Sequence, residues 1–143
     1  MKHKTLGQVF TPVWIVKEIL NSSGFNKENL INKKIIDPAC GDGAFLKIVV
    51  ERIIEVLLER NMSKEKIKVY LQNYVYGIEI DETEFNNCLS NLNKIIKEKL
   101  GSDLNINWKI FKDNTLTRYK EYIGLFDFGV GNPPYIRNNN LDK

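Results

Sequence analysis

Histidine occurs once in this 143-residue chain, at His3, and cysteine twice, at Cys40 and Cys88. A zinc site draws several such ligands from a short stretch, so metal chemistry through histidine or cysteine is excluded. The cysteines lie far apart and form no CxxC pair, which also argues against a disulfide scaffold. No Glu-x-Lys step occurs anywhere, against a fused nuclease of the carboxylate–lysine kind. Long apolar runs are missing too. The longest, Ala44 to Leu58, is broken by Lys47, Glu51, Arg52 and Glu55, far short of the roughly 20 residues of a membrane span. The opening residues carry no apolar run ahead of a small-residue cleavage site, so a cytoplasmic location is expected. Charge of one sign is scarce as well. The net +3 is too small to mark a nucleic-acid footprint, and 17 of the 21 basic residues are lysines scattered along the chain. What remains is ordinary for one globular core: 43% hydrophobic and 27% charged residues.

The apolar periodicity alternates between helix and strand. Thr11-Pro12 opens a helix whose face is Val13, Val16, Ile19 and Leu20, ending at Asn21 to Gly24. Lys34 to Asp37 reads as a short buried strand, with a glycine turn at Pro38 to Gly43 after it. A long helix follows over Ala44–Arg60, with Lys47, Glu51, Glu55 and Glu59 as its solvated stripe. After a lysine-rich connection, Tyr74 to Ile80 reads as a second strand. Asp81 opens a further amphipathic helix that Gly101 stops. Ile106, Trp108 and Ile110 alternate with polar residues, the pattern of a half-exposed edge strand. A short helix over Leu116–Ile123 leads to a fourth strand, Leu125 to Val130. Strand–helix repetition predicts an α/β fold with a mostly parallel sheet and sites at the carboxyl ends of its strands.

Four residue clusters fall at those ends. The first is Asp37-Pro38-Ala39-Cys40-Gly41-Asp42-Gly43. Its glycines let a ligand approach the backbone, but Leu46 stands where a dinucleotide fingerprint needs a third glycine. Asp37 and Asp42 would repel a pyrophosphate, whereas a cation with an amino-acid end, such as S-adenosylmethionine, suits them. A plain structural turn is the alternative. Glu79 ends the second strand, where an acid can accept two ribose hydroxyls or simply cap the next helix. Asp113-Asn114 follows the third strand, placed either to accept an adenine amino group or to form an ordinary Asx turn. The most specific cluster is Asn132-Pro133-Pro134-Tyr135. The prolines stiffen the backbone and drive Asn132 out of the helical region. The Asn132 amide oxygen and the Pro133 carbonyl can then converge on one amino group, and Tyr135 offers a stacking surface. Cys40 has no basic neighbour in sequence to activate it.

With these residues in order, the chain resembles the adenine-N6 DNA methyltransferases of restriction–modification systems, in the gamma arrangement and the subgroup with the motif Asn-Pro-Pro-Tyr-Ile-Arg, here Asn132 to Arg137. Leu6 to Pro12 resembles the family's N-terminal cofactor motif, Asp37 to Phe45 its glycine loop, Gly77 to Asp81 its ribose-binding strand and Asp113-Asn114 its adenine-contacting turn. The resemblance implies a Rossmann-like S-adenosylmethionine-dependent methyltransferase fold with strand order 3-2-1-4. It implies that Thr11, Pro12, Asp37, Pro38, Ala39, Cys40, Gly41 and Asp42 surround the methionine part of the cofactor. Glu79 would bind the ribose, and Asp113, Ile80 and Asn114 the adenine. Asn132, Pro133, Pro134 and Tyr135 would hold a target adenine swung out of duplex DNA, with Asn132 also among the cofactor-binding residues. No metal is implied.

Relatives continue for hundreds of residues. Residues 1–143 are therefore expected to be the N-terminal cofactor-binding and catalytic-motif part of a methyltransferase domain, without a target-recognition domain. The expected origin is a truncated product or one half of a split enzyme whose second polypeptide supplies the missing strands. Two rivals stand beside this reading. One is a protein-glutamine or RNA methyltransferase, which can share Asn-Pro-Pro-Tyr. The other is a catalytically inactive remnant that serves only as an interaction module.

Overall fold

The computed structural model describes residues 11–122 and 124–131. Leu6 to Phe10 and the Asn132–Arg137 motif lie outside the described residues.

Four short strands carry the sheet: β1 (Ile35–Asp37), β2 (Val75–Glu79), β3 (Lys109–Lys112) and β4 (Phe128–Gly129). Every pairing is parallel and the order is β3-β2-β1-β4, as expected. The chain moves from β1 outward to β3, then returns to the far side of β1. That reversal makes the carboxyl ends of β1 and β4 the topological switch point, the place where open α/β sheets bind ligands.

Five helices surround the strands: α1 (Val13–Ser23), α2 (Ala44–Glu59), α3 (Lys64–Tyr74), α4 (Glu82–Leu100) and α5 (Thr115–Tyr122). α2 is the spine of the core. Phe45, Leu46, Ile48, Val49, Val50, Ile53, Ile54, Val56 and Leu57 are all buried, too many for one stripe, because α2 packs on α1, α3, α4 and β2 at once. Each fully buried leucine such as Leu46 or Leu57 is worth about 2–5 kcal/mol against alanine. Arg52 reaches from α2 to the end of α1. Its Nη1 donates to Asn21 Oδ1 at 2.8 Å and to the Phe25 carbonyl at 3.0 Å, and its Nη2 to the Lys17 carbonyl at 3.3 Å. These bonds tie α2 to the flank of α1 and to the chain that leaves it. Of the expected α1 face, Val16 and Leu20 are buried, while Val13 and Ile19 are exposed.

Three expectations shift. The lysine-rich connection is the helix α3, with Ser63 accepting the Lys66 N–H at 3.2 Å and Ile67, Tyr70 and Leu71 turned inward. Lys64, Lys66 and Lys68 are thus helical, not loop residues. The alternation over Ile106–Ile110 is real in burial, yet the ladder begins only at Lys109. β2 starts at Val75, and the Asn107 N–H finds the Gln72 side-chain oxygen at 2.7 Å instead of a strand. The fourth strand shrinks from Leu125–Val130 to two residues. Its only described partner, β1, has three, and Asp127 Oδ2 takes the Lys34 N–H at 2.8 Å. Among the described residues, no helix is long and apolar enough to cross a membrane.

Candidate functional site

β1 ends on Asp37, whose side chain is 1% exposed. Oδ1 accepts the Ala39 N–H at 3.1 Å. Burial pushes the carboxyl up to about 7; the Ala39 N–H opposes this, and the charge of Glu79 adds to it. A buried acid in this condition is poised to ionise beside an incoming cation.

The turn after Asp37 is tied down from several sides. The Cys40 N–H donates to the Ile78 carbonyl at 2.9 Å, and the Gly41 N–H to Glu79 Oε1 at 2.8 Å. Gly43, at φ +94°, caps α2 so closely over α4 that a Cβ there would lie 3.2 Å from Cys88 Sγ. Asn91 Nδ2 donates to the Asp42 carbonyl at 2.9 Å. The Pro38 carbonyl accepts from the Thr115 hydroxyl at the start of α5.

Glu79 is buried at the end of β2 and holds two backbone donors, Gly41 on Oε1 and Asp81 on Oε2, the latter at 2.9 Å. A carboxylate has about four lone-pair sites, so it can still accept two hydroxyls. Asp81 caps α4 by accepting the Glu84 N–H at 2.8 Å. Ile80 between them is 63% exposed, an apolar surface left open at the sheet's carboxyl edge. Next to it, the Asp113 N–H donates to the Glu79 carbonyl at 3.1 Å, bringing the third strand's turn beside the second's. Asp113 Oδ1 accepts the Asn114 N–H at 2.7 Å, and Oδ2 is paired with Arg118 Nε. The Arg118 guanidinium and the Asn114 N–H hold the Asp113 carboxyl below the usual carboxylate range. Asn114 Oδ1 in turn caps α5 through the Leu116 N–H at 2.9 Å.

β4 delivers the last described residue to the same place. The Val130 N–H donates to the Ile36 carbonyl at 2.9 Å. Gly131 follows with φ +140°, and a Cβ on it would lie 2.4 Å from Asp37 Oδ1. Only glycine fits against that carboxylate, and Asn132 is the next residue.

Asp37, Ala39, Gly41, Glu79, Asp113 and Asn114 are therefore brought together at the carboxyl ends of β1–β3. Thr11 and Pro12 stand at the start of α1, which packs on α2, the helix that the glycine turn opens. Cys40 differs from the rest. Its thiol is buried and meets Cys88, which with burial pushes it up, so only its backbone is available at the site. Sequence reasoning missed Glu84 and Asn91 on the face of α4 beneath the turn. Glu84, Cys88 and Asn91 stand at i, i+4 and i+7, and Glu84 is buried with Oε2 3.6 Å from where a Gly41 Cβ would sit. It also missed Thr115 and Arg118.

Comparison with known proteins finds relatives of the sequence and of the fold. The family described as N-6 DNA Methylase matches residues 1–143. The type II methyltransferase M.BstVI of Geobacillus stearothermophilus is 33% identical across 92% of this chain and 25% of its own length. The type II restriction enzyme and methyltransferase RM.BcgI of Heyndrickxia coagulans is 32% identical across 94% of this chain and 19% of its own. The chain thus spans about a quarter or less of these curated relatives. Two solved structures share the fold: the DNA-bound type ISP restriction-modification enzyme LlaBIII, with a TM-score of 0.62 at 19% identity over 95% of this chain and 9% of that one, and a nuclease-deletion mutant of the related LlaGI, at 0.61 and 18% over 90% and 13%.

Proposed function

The chain belongs to the N-6 DNA methylase family, and from that premise we propose that residues 1–143 form the cofactor-binding and catalytic-motif part of an S-adenosylmethionine-dependent DNA adenine-N6 methyltransferase of a restriction–modification system. The observation that carries the reading is the packing of Gly131 against Asp37. It brings the residue before Asn132 into contact with the buried acid of the glycine turn.

The residues fit the cofactor. Asp37 is desolvated and only part-ionised at neutral pH, a suitable neighbour for an ammonium or sulfonium group. Thr11, Pro12, Pro38, Ala39, Gly41 and Asp42 would complete the surroundings of the methionine part, with Cys40 contributing backbone only. Glu79 has lone pairs left for the ribose hydroxyls. Asp113 is held as an ionised acceptor for an amino group, flanked by Asn114 and the exposed Ile80. When bound, S-adenosylmethionine supplies a methyl group on an electron-poor sulfur.

The remaining work falls to the tetrad. The Asn132 side-chain oxygen and the Pro133 carbonyl would accept the two N6 hydrogens of an adenine swung out of the duplex, at a cost of about a few kcal/mol. Pro134 stiffens the segment and Tyr135 stacks on the base. Fixing both hydrogens aims the nitrogen lone pair at the methyl-donor side. Positioning and electrostatics then carry the rate without a strong base. Reading of the DNA sequence is assigned to other parts of the enzyme, in the same or a second polypeptide.

Asn132→Ala in the complete enzyme tests the assignment. Methylation of duplex DNA should fall about a hundredfold or more while circular dichroism stays unchanged. Undiminished methylation refutes it.

A further inference from the structure

Both oxygens of Asp113 are held, one by the backbone and one by a side chain. Oδ1 takes the Asn114 N–H at 2.7 Å and Oδ2 takes Arg118 Nε. Arg118 is itself fixed. Its guanidinium carbon lies 4.9 Å from the centre of the Phe111 ring, the geometry of a cation–π contact, and it faces Glu121 at 4.0 Å. The helix carrying it is pinned to the glycine turn one turn earlier, where the Thr115 hydroxyl bonds the Pro38 carbonyl. Phe111 on β3, Asp113 and Asn114 in the turn, and Thr115 and Arg118 on α5 thus form one fixed unit at the sheet's carboxyl edge.

A lone aspartate in a turn is a poor selector. It can rotate about its terminal bond and turn its lone pairs away from a ligand. A guanidinium on one oxygen and a backbone N–H on the other remove that freedom. We infer that Arg118 is a positioning residue that makes Asp113 an obligatory hydrogen-bond acceptor, so that the site selects a nucleoside with an exocyclic amino group over its 6-oxo counterpart. The inference rests on the cofactor reading above. It adds that discrimination at the base edge is set by a residue on α5 that need not touch the base itself.

The test is equilibrium binding to the full chain of two neutral-sulfur analogues, S-adenosylhomocysteine and S-inosylhomocysteine, which differ at the base by an amino group against a carbonyl. The wild-type chain should prefer the adenosyl compound by about tenfold to a hundredfold, the span of one hydrogen bond to a charged acceptor. Arg118→Met should cut that preference by about fivefold or more while leaving the affinity for the inosyl compound unchanged or raised. Arg118→Lys keeps the charge without the planar fork and should fall between. Asp113→Ala should abolish the preference, and adding Arg118→Met to it should cost nothing further. If Arg118→Met does not fold by circular dichroism, the lysine variant decides: an unreduced preference there overturns the inference. So does a wild-type preference retained in Arg118→Met. A wild-type chain that binds both compounds equally well overturns the selection but leaves the cofactor reading standing. A folded wild-type chain that binds neither overturns the cofactor reading, and the role of Arg118 with it.

Discussion

Gly131→Ala puts the convergence of β4 on the glycine turn to a quantitative test. The backbone there has φ +140°, where an alanine is strained by about 1–3 kcal/mol. The added methyl would lie 2.4 Å from Asp37 Oδ1, so one of the two must move by at least about 0.6 Å to reach even 3.0 Å. Asp37 has little room: it is 1% exposed, and the same oxygen holds the Ala39 N–H at 3.1 Å. A shift of that size breaks the bond, adding about 1 kcal/mol. The expected loss is about 2–4 kcal/mol, read as a lower urea midpoint in unfolding followed by circular dichroism. Gly129→Ala is the control, because a Cβ there meets nothing within 4 Å. Adding Asp37→Ala to Gly131→Ala should cost less than the two single losses together, since removing the carboxyl relieves the clash. A Gly131→Ala chain within about 0.5 kcal/mol of wild type would refute the packing of Gly131 against Asp37 and remove the support it lends to the proposed role of Asn132.

Four other outcomes follow from the same geometry. Asp37 is pushed up to about 7 from an ordinary 3.8, so the folded chain holds an extra proton there between those values and the Asp37 contribution to stability falls as pH rises from about 4 to 7; comparing the urea midpoints of wild type and Asp37→Asn across that range reads it. A cationic cofactor favours the carboxylate, so its uptake near pH 6 should release close to one proton and tighten as pH rises through 7; calorimetry in buffers of different ionisation enthalpy reads the release, and Asp37→Asn should abolish it. Arg52→Met should destabilise the chain by about 1–3 kcal/mol in urea unfolding, because it strips bonds from Lys17 and Asn21 on α1 and from Phe25 just beyond it. Asn91→Leu removes the side-chain donor to the Asp42 carbonyl; a loss of about 1 kcal/mol and faster amide exchange at Asp42 and Gly43 are expected.

Much of the frame was legible because its signals are local. The run Ile35-Ile36-Asp37, the apolar crowding of α2, and Asp81 and Gly101 at the ends of α4 each announce themselves within one element. Parallel order follows from the alternation of strands and helices. α3 was illegible as a helix because its lysines mask a stripe of only Ile67, Tyr70 and Leu71, although Ser63 stood in capping position. Strand limits failed where side chains replace ladder partners, as Gln72 does for Asn107 and Asp127 for Lys34. At the site, residues at strand ends could be named from their spacing. What the spacing could not convey is which atoms meet across the fold. The Cys40 thiol turns away, Gly131 abuts Asp37, and Arg118 grips Asp113 from a helix that the sequence marks only as a link to the fourth strand.

The Cys40–Cys88 contact has an experimental use. One thiol rides on the turn after β1 and the other on α4 beneath it, and both are sealed from solvent. A thiol reagent can reach them only when turn and helix part, so the pace of pulsed alkylation would clock the opening of that seam, with no foreign probe introduced.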